Sequence, residues 1–331
     1  MERIPIGVIG VGMVGTPLAR YLRELKGYQR GVDLFLYDTD PAKGFFDDVN
    51  RAEIVFISVP TPRALDGSAN LSAVESAFGL LDGEKIVVLK STVPPGTTEA
   101  FQRRYPRHRV LFNPENLTER FAWEDFLRPD TQIVGFTEHS LDAAHLVLAL
   151  LPKAPFMSPW GLNTYRRVAI TATEAEIIKY ARNVHFARKI NLANLLAKLA
   201  ETMGVSYDNI RAGMAADHRI GDSHLDVTQG GYRGFGGFCL PKDLDAFIAA
   251  LERAGLAECA RLLGQDREFN AALIAAQGLT IGDVSVHDHE WIKRKMESGI
   301  KNQAFVPSSD RGESRRGVRD ERIAPLTSHD S

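Results

Sequence analysis

Cys239 lies in the run Gly234-Phe235-Gly236-Gly237-Phe238-Cys239-Leu240-Pro241-Lys242-Asp243, whose residue types suit covalent chemistry on a closely held ligand. Glycines let a backbone fold where a Cβ would be excluded. Pro241 can open a helix at its first turn, with Asp243 in that turn. A thiol near a helix N-terminus and a lysine has its thiolate favoured by the dipole and the cation, which is how a nucleophile is made. The alternative is a buried structural cysteine behind a glycine-rich turn, since free cysteine is among the most buried residue types. The charges of Lys242 and Asp243 pull against that burial.

The chain of 331 residues is long enough for two domains and a sizeable core. Its 44% apolar and 25% charged residues and net charge of −2 are those of an ordinary soluble protein and give no sign of a nucleic-acid partner. No apolar run is long enough to span a bilayer, and the N-terminus enters a strand-like run without a signal-peptide pattern, so a cytoplasmic protein is expected. Cys239 and Cys259 are then expected to be free thiols.

An apolar run from Ile4 to Gly10 breaks into Gly10-Val11-Gly12-Met13-Val14-Gly15, followed by the helical pattern Leu18, Tyr21, Leu22, Leu25. Strand, glycine turn and helix form the setting of a dinucleotide fingerprint. The next apolar run, Val32 to Tyr37, ends at Asp38, 23 residues after Gly15. An acid there accepts hydrogen bonds from the adenosine ribose and repels a 2′-phosphate, which favours NAD over NADP. The alternation continues through strand-like runs at Glu53 to Val59 and Lys85 to Lys90. These end in Pro60-Thr61-Pro62 and Ser91-Thr92-Val93-Pro94-Pro95-Gly96-Thr97-Thr98. Both sets belong at the carboxyl edge of a parallel sheet, where such folds bind ligands, although turns use the same residues.

Val110 to Phe112 and Thr131 to Phe136 read as further strands, and Leu141 to Leu151 as a helix. Between them, Glu115 and Glu119 are four apart, so on a helical turn they would share a face. From Glu174 to Met203 the sequence reads as one long helix, capped by Thr173 or Thr171 with Glu174 and Glu176 in its first turn. It is apolar on more than one face, as a domain core or an oligomer seam would be. Lys179 and Asn183 are neighbours on it and make a polar island. Helices are also expected over Ser206 to Ala216, Pro241 to Ala254 and Leu256 to Ala276. His218 and His224 show no metal-ligand spacing with other candidates, and His287-Asp288-His289 reads as solvated rather than as a site. The fold expected is α/β: a Rossmann-type doubly wound parallel sheet over 1–160, then an all-helical domain over 171–280. An irregular tail over 281–331 follows, read as disordered from about Val306.

These motifs in this order resemble the UDP-glucose/GDP-mannose dehydrogenase family. The resemblance runs from Ile6 to about Asn270. It rests on Gly10 to Gly15, Val59-Pro60-Thr61-Pro62, Ser91 to Thr98, Asn113-Pro114-Glu115 with Asp125-Phe126 and Pro129-Asp130, Lys179 with Asn183, Asp217 to Gly221, and Gly234 to Asp243. It implies NAD-dependent oxidation of the C6 alcohol of a nucleotide sugar to a carboxylate in two steps. Cys239 would attack the intermediate aldehyde, and Lys179 and Asn183 would stabilise charge on oxygen. Asp243 and Glu115 would position or activate the hydrolytic water, with Thr92 close to the reacting oxygen.

For NAD the resemblance implies Gly10, Val11, Gly12, Met13, Val14, Gly15, Asp38, Pro60, Thr61, Ser91, Thr92, Glu119 and Lys242. For the sugar nucleotide it implies Glu115, Asn116, Leu117, Thr118, Lys179, Asn183, Arg219, Phe235, Gly236 and Gly237. It also implies a homodimer built on the long helix. Two departures stand out. The family's third, C-terminal α/β domain has no counterpart in the apolar pattern after Gly278. Asn116, Thr118 and Arg120-Phe121 replace the family's more usual residues and bear on sugar selectivity. Two other readings remain: a two-electron β-hydroxyacid-type dehydrogenase, which needs no cysteine, and a non-catalytic NAD-binding remnant.

Overall fold

A computed structural model describes residues 3–159, 168–228, 230–287 and 290–293. The expected boundary at residue 160 and the tail from 294 onward lie outside them, as do Asp288 and His289. In chain order the first half contains β1 (Ile6–Ile9), α1 (Gly15–Glu24), β2 (Leu34–Tyr37), β3 (Ile54–Ile57), α2 (Ser72–Gly79), β4 (Ile86–Leu89), α3 (Thr97–Arg104), β5 (Arg109–Phe112), α4 (Ala122–Leu127), β6 (Thr131–Ile133), β7 (Gly135–Phe136), α5 (Leu141–Leu150) and β8 (Phe156–Ser158). The main sheet runs β2-β1-β3-β4-β5-β7, parallel throughout except for the last pair. Short, wholly apolar strands such as Ile54–Ile57 and Ile86–Leu89 are what a sheet buried on both faces requires. One face packs Leu18, Leu22, Val147 and Leu148 of α1 and α5. The other packs Val74, Phe78 and Phe101 of α2 and α3, together with Ala172 and Ala175. The chain order reverses at β1, so a ligand crevice opens beyond the carboxyl ends of β1 and β3.

The second half consists of α6 (Ala172–Met203), α7 (Tyr207–Ala215), α8 (Leu240–Arg253), α9 (Ala257–Ala275) and the short α10 (Ile281–Val284). Of the two expected caps for the long helix, Thr171 is the one used. Its side chain accepts from the Glu174 N–H while Glu174 Oε2 accepts from the Thr171 N–H, a reciprocal box. Gly204, left-handed at φ 67°, ends the helix. Val184, Ala187, Leu244, Ile248, Ala260 and Leu263 form the core shared by α6, α8 and α9.

The run Thr131 to Phe136 is two strands rather than one. β6 pairs with β8 in a separate sheet, and β7 pairs antiparallel with β5. The chain switches sheets because the start of α6 presses on Gly135, where a Cβ would lie 2.8 Å from the Thr171 carbonyl. Glu176 is not a solvated first-turn acid either. It is fully buried, and its carboxylate accepts from the N–H groups of Gly96 (2.6 Å) and Thr98 (2.7 Å) and from the Thr98 hydroxyl (2.6 Å). It therefore caps α3 and ties α6 to the sheet. Burial pushes it up to about 7, against the pull of the Thr98 and Gly96 donors.

The segment after Gly278, expected to be irregular, begins with the capped α10, and Val284 is buried at its end. Val284 offers its carbonyl to the Gly237 N–H at 2.8 Å, and the His287 ring stacks on Phe238 at 4.6 Å. Two apolar residues and one ring were too weak a pattern to reveal this strap.

Candidate active site

The three fingerprint glycines divide between two jobs. Gly10, at φ 87°, sits where a Cβ would meet the Ser58 carbonyl at 2.6 Å, and a Cβ on Gly15 would run into the Gly10 carbonyl. Those two pack the turn. Gly12 has nothing within 4 Å, so its backbone is open to a diphosphate at the N-terminus of α1. Asp38 is buried at the end of β2. It accepts from the Val11 N–H (2.7 Å), the Asp40 N–H (3.0 Å) and Lys43 Nζ (2.9 Å). Burial works to raise its pKa, but these donors outweigh it and hold the carboxyl below its ordinary value. A carboxylate beside an open glycine turn fits the adenosine ribose and diphosphate of NAD. Lys43, in a surface turn after β2, escaped the sequence reading.

Thr61 and Ser91 are buried and spend their hydroxyls on neighbouring loops. Thr61 Oγ1 donates to the Thr92 carbonyl and Ser91 Oγ to the Val59 carbonyl, each at 2.7 Å. They shape the crevice by bonding the β3 and β4 loops together, while Pro60 stays exposed at its rim.

The candidate reacting residues gather where the β5 loop meets α6 and α8. Lys179 Nζ donates to Glu115 Oε1 at 2.6 Å, and both side chains are almost wholly buried. Asn183, one turn along, donates to Asp243 Oδ2, and Lys242 bonds Asp243 Oδ1. Asp243 is fully buried in the first turn of α8, and Cys239 is that helix's N-cap. For Glu115, burial is opposed by Lys179, the Leu117 N–H and Lys90, and its pKa falls below the ordinary value. For Lys179, burial is outweighed by Glu115, Asp243 and Cys239, so its ammonium form is favoured. Glu115 and Lys179 are therefore a charged pair.

Cys239 departs from the sequence expectation of a favoured thiolate. Burial pushes the thiol up to about 11; Lys179 and Lys242 pull it down, but Glu115 and Asp243 oppose them. At neutral pH the Cys239 side chain is a protonated thiol.

Glu115 and Glu119 do not share a helical face. The chain from 113 to 118 is irregular, and a single 3₁₀ turn starts only at Glu119. Pro114 disfavours a helical Asn113, and Glu115 Oε2 takes the Leu117 N–H at 2.9 Å. Glu119 instead faces His287 at 3.3 Å. Asn116 and Leu117 are half-buried and Thr118 is exposed, its N–H held by Asp125.

Three other assigned positions do different work. Arg219 is exposed and turned onto Asp217. Phe235 is core, its backbone held at both ends by the Asn270 amide at 2.7 and 2.9 Å. A Cβ on Gly236 would strike the Val284 carbonyl at 2.5 Å, while Gly237 takes φ 73° with open space beside it. The glycines thus seat the cysteine loop on α9 and α10, and only Gly237 is free to face a ligand.

Two cations escaped notice. Lys90, directly after β4, is buried with Nζ 2.6 Å from Asn113 Oδ1. Arg182 on α6 reaches Thr131 at 3.0 Å. A lysine at the end of a strand and an arginine on a helix ordinarily look like surface.

The comparisons follow this geometry. Residues 43–148 match the model of the UDP-glucose/GDP-mannose dehydrogenase family, NAD binding domain, and residues 173–272 match that of the same family, central domain. A UDP-glucose 6-dehydrogenase of Pseudomonas aeruginosa is 38% identical over 252 residues, covering 70% of this chain and 53% of the relative. One from Haloferax volcanii is 32% identical over 293 residues, covering 76% and 66%. The solved UDP-glucose dehydrogenase of Pyrobaculum islandicum is 30% identical with a TM-score of 0.68, covering 81% of this chain and 68% of that one. The chain belongs to the UDP-glucose/GDP-mannose dehydrogenase family and carries its NAD-binding and central domains. It spans about half to two thirds of the length of these two curated relatives. Among the described residues no helix is long and apolar enough to cross a membrane.

The raised thiol pKa makes a direct prediction. With the exposed Cys259 replaced by Ser, Cys239 should react with iodoacetamide at pH 7 about 100-fold more slowly than a free cysteine, its rate climbing toward pH 11. Mass-spectrometric alkylation rates that level off below pH 8 would contradict this.

Proposed function

We propose that the chain catalyses NAD-dependent, four-electron oxidation of the C6 alcohol of a UDP-glucose-like nucleotide sugar to the uronate. The observation that carries this reading is the half-buried Cys239 at the N-cap of α8, within electrostatic reach of Lys179 and Asp243, because a two-electron alcohol dehydrogenase has no use for a thiol there. NAD, when bound, supplies the hydride acceptor. The chain's own residues do the rest. Lys179 and Asn183 carry the N–H donors that stabilise negative charge developing on the sugar oxygen. Cys239 adds to the C6 aldehyde: a C–S bond forms, the thiol loses its proton, and the carbonyl oxygen becomes a hydroxyl in a thiohemiacetal. Oxidation of that adduct leaves a thioester on Cys239. Glu115, ionised, takes a proton from the attacking water, and the C–S bond breaks to release the carboxylate and restore the thiol. Asp243 holds Asn183 and Lys242 in place for both steps.

The named relatives are UDP-glucose 6-dehydrogenases, which makes a UDP-hexose the first substrate to test. Two NADH should form per sugar, followed by absorbance, and Cys239→Ser should slow uronate formation more than about 100-fold. Full activity in that variant would instead support a two-electron β-hydroxyacid-type reaction. NAD binding without turnover would support a non-catalytic remnant.

A homodimer built on α6 belongs to the same proposal. Ile177, Leu192, Leu195, Leu199 and Met203 lie 42 to 67% exposed along the helix, at spacings that leave a wet apolar seam on a single chain. Sedimentation should show a dimer at micromolar concentration and a monomer for Leu195→Glu/Leu199→Glu; a monomeric wild type would remove the claim.

A further inference from the structure

Lys90 is the buried charge that the proposed reaction leaves unused. Only 4% exposed, it makes its hydrogen bond to Asn113 Oδ1 at 2.6 Å, and among the described residues no carboxylate pairs with it directly. Asn113 is fully buried and committed on its other side, its amide donating to the Ile133 carbonyl (2.6 Å) and to Gln132 (3.0 Å). Two residues on is Glu115. The charges that act on Lys90 are Glu115, which favours its ammonium, and Lys179, which opposes it; Lys90 in turn helps keep Glu115 ionised. A buried ammonium with one neutral partner is costly to keep, and an apolar residue would pack after β4 at no such cost.

The charges add up in a particular way. Lys90, Lys179 and Lys242 bring three positive charges to the cluster, and Glu115 and Asp243 two negative. Arg182 lies outside this core, bonded to Thr131 and acting on Glu115 from α6. With Cys239 as a thiol the core carries one surplus cation, and with a thiolate or an oxyanion it is neutral.

We propose that Lys90 is a positioning residue: through the Asn113 amide it fixes the β5 loop, and as a second cation beside Lys179 it keeps Glu115 ionised and balances the negative charge formed during reaction. This rests on the dehydrogenase reading of the same site, and the test separates the two.

Initial rates of NADH formation from NAD and UDP-glucose are measured from pH 3.5 to 10 for wild type, Lys90→Met and Lys90→Arg. Lys90→Met should move the acid limb of kcat/KM up by about one pH unit, because Glu115 loses a cation. Lys90→Arg should restore that limb and abolish the alkaline limb expected for the wild type near pH 8, where burial leads Lys90 to lose its proton. A uniform loss in Lys90→Met with both limbs unmoved would reduce Lys90 to packing and overturn the proposal. Wild-type protein that turns over no sugar would count against the dehydrogenase reading, and the charge coupling is then read from unfolding midpoints.

Folding depresses the pKa of Lys90, so the folded chain holds fewer protons than the unfolded one. Wild type should therefore gain stability over Lys90→Met as pH rises from about 8 toward 10. In a Glu115→Gln background this gain should begin at lower pH, because the anion that favours the ammonium is gone. An unchanged onset would overturn the proposal without any assay of turnover.

Discussion

The ion pair between Glu115 and Lys179 is the interaction on which the rest of the site depends. It joins the loop after β5 to the N-terminal third of α6, and neither group has water to fall back on. Removing either partner would strand a charge in the interior, which is far more costly than losing a surface bridge. The pair ties the long helix to the β5 loop, and Glu176, about one turn nearer the helix start, makes its other contact by capping α3. With those two carboxylates in place, Asn183 falls one turn farther on, against Asp243 at the start of α8.

The cysteine loop is held by different means. Its glycines let the backbone lie against Asn270 and Val284, and Phe235 anchors it in the helical core. Cys239 is thereby delivered to the cation of Lys179 and to the end of α8. The same enclosure raises the thiol's pKa, because burial and two carboxylates outweigh two lysines. A thiol held protonated in this way is a poor target for adventitious oxidation or alkylation.

Local pattern made much of this legible. The glycine turn, the acid after β2 and the apolar strands each obey a short-range rule, and Thr171 with Glu174 announces the start of α6 three residues apart. Lys179 and Asn183 could be paired from helical spacing alone. What stayed hidden depends on contacts distant in the chain. Lys90, Lys43 and Glu176 look like surface charges until the fold buries them. Thr61 and Ser91 look like ligand contacts until their hydroxyls meet the neighbouring loop. Gly135 gave no hint that it lets α6 split one apolar run into two strands. The sign of the Cys239 shift was misread for the same reason, since it is set first by burial and then by carboxylates such as Glu115, 124 positions away in sequence.

The most direct measurement is a double-mutant cycle in denaturant with Glu115→Leu, Lys179→Met and both together. Each single change should cost about 3–5 kcal/mol by leaving its partner charged and buried, and the double variant should recover most of that, with a coupling of about 2 kcal/mol or more. Additive losses, or singles costing less than about 1 kcal/mol, would show that the pair is solvated and that the site is not built around it.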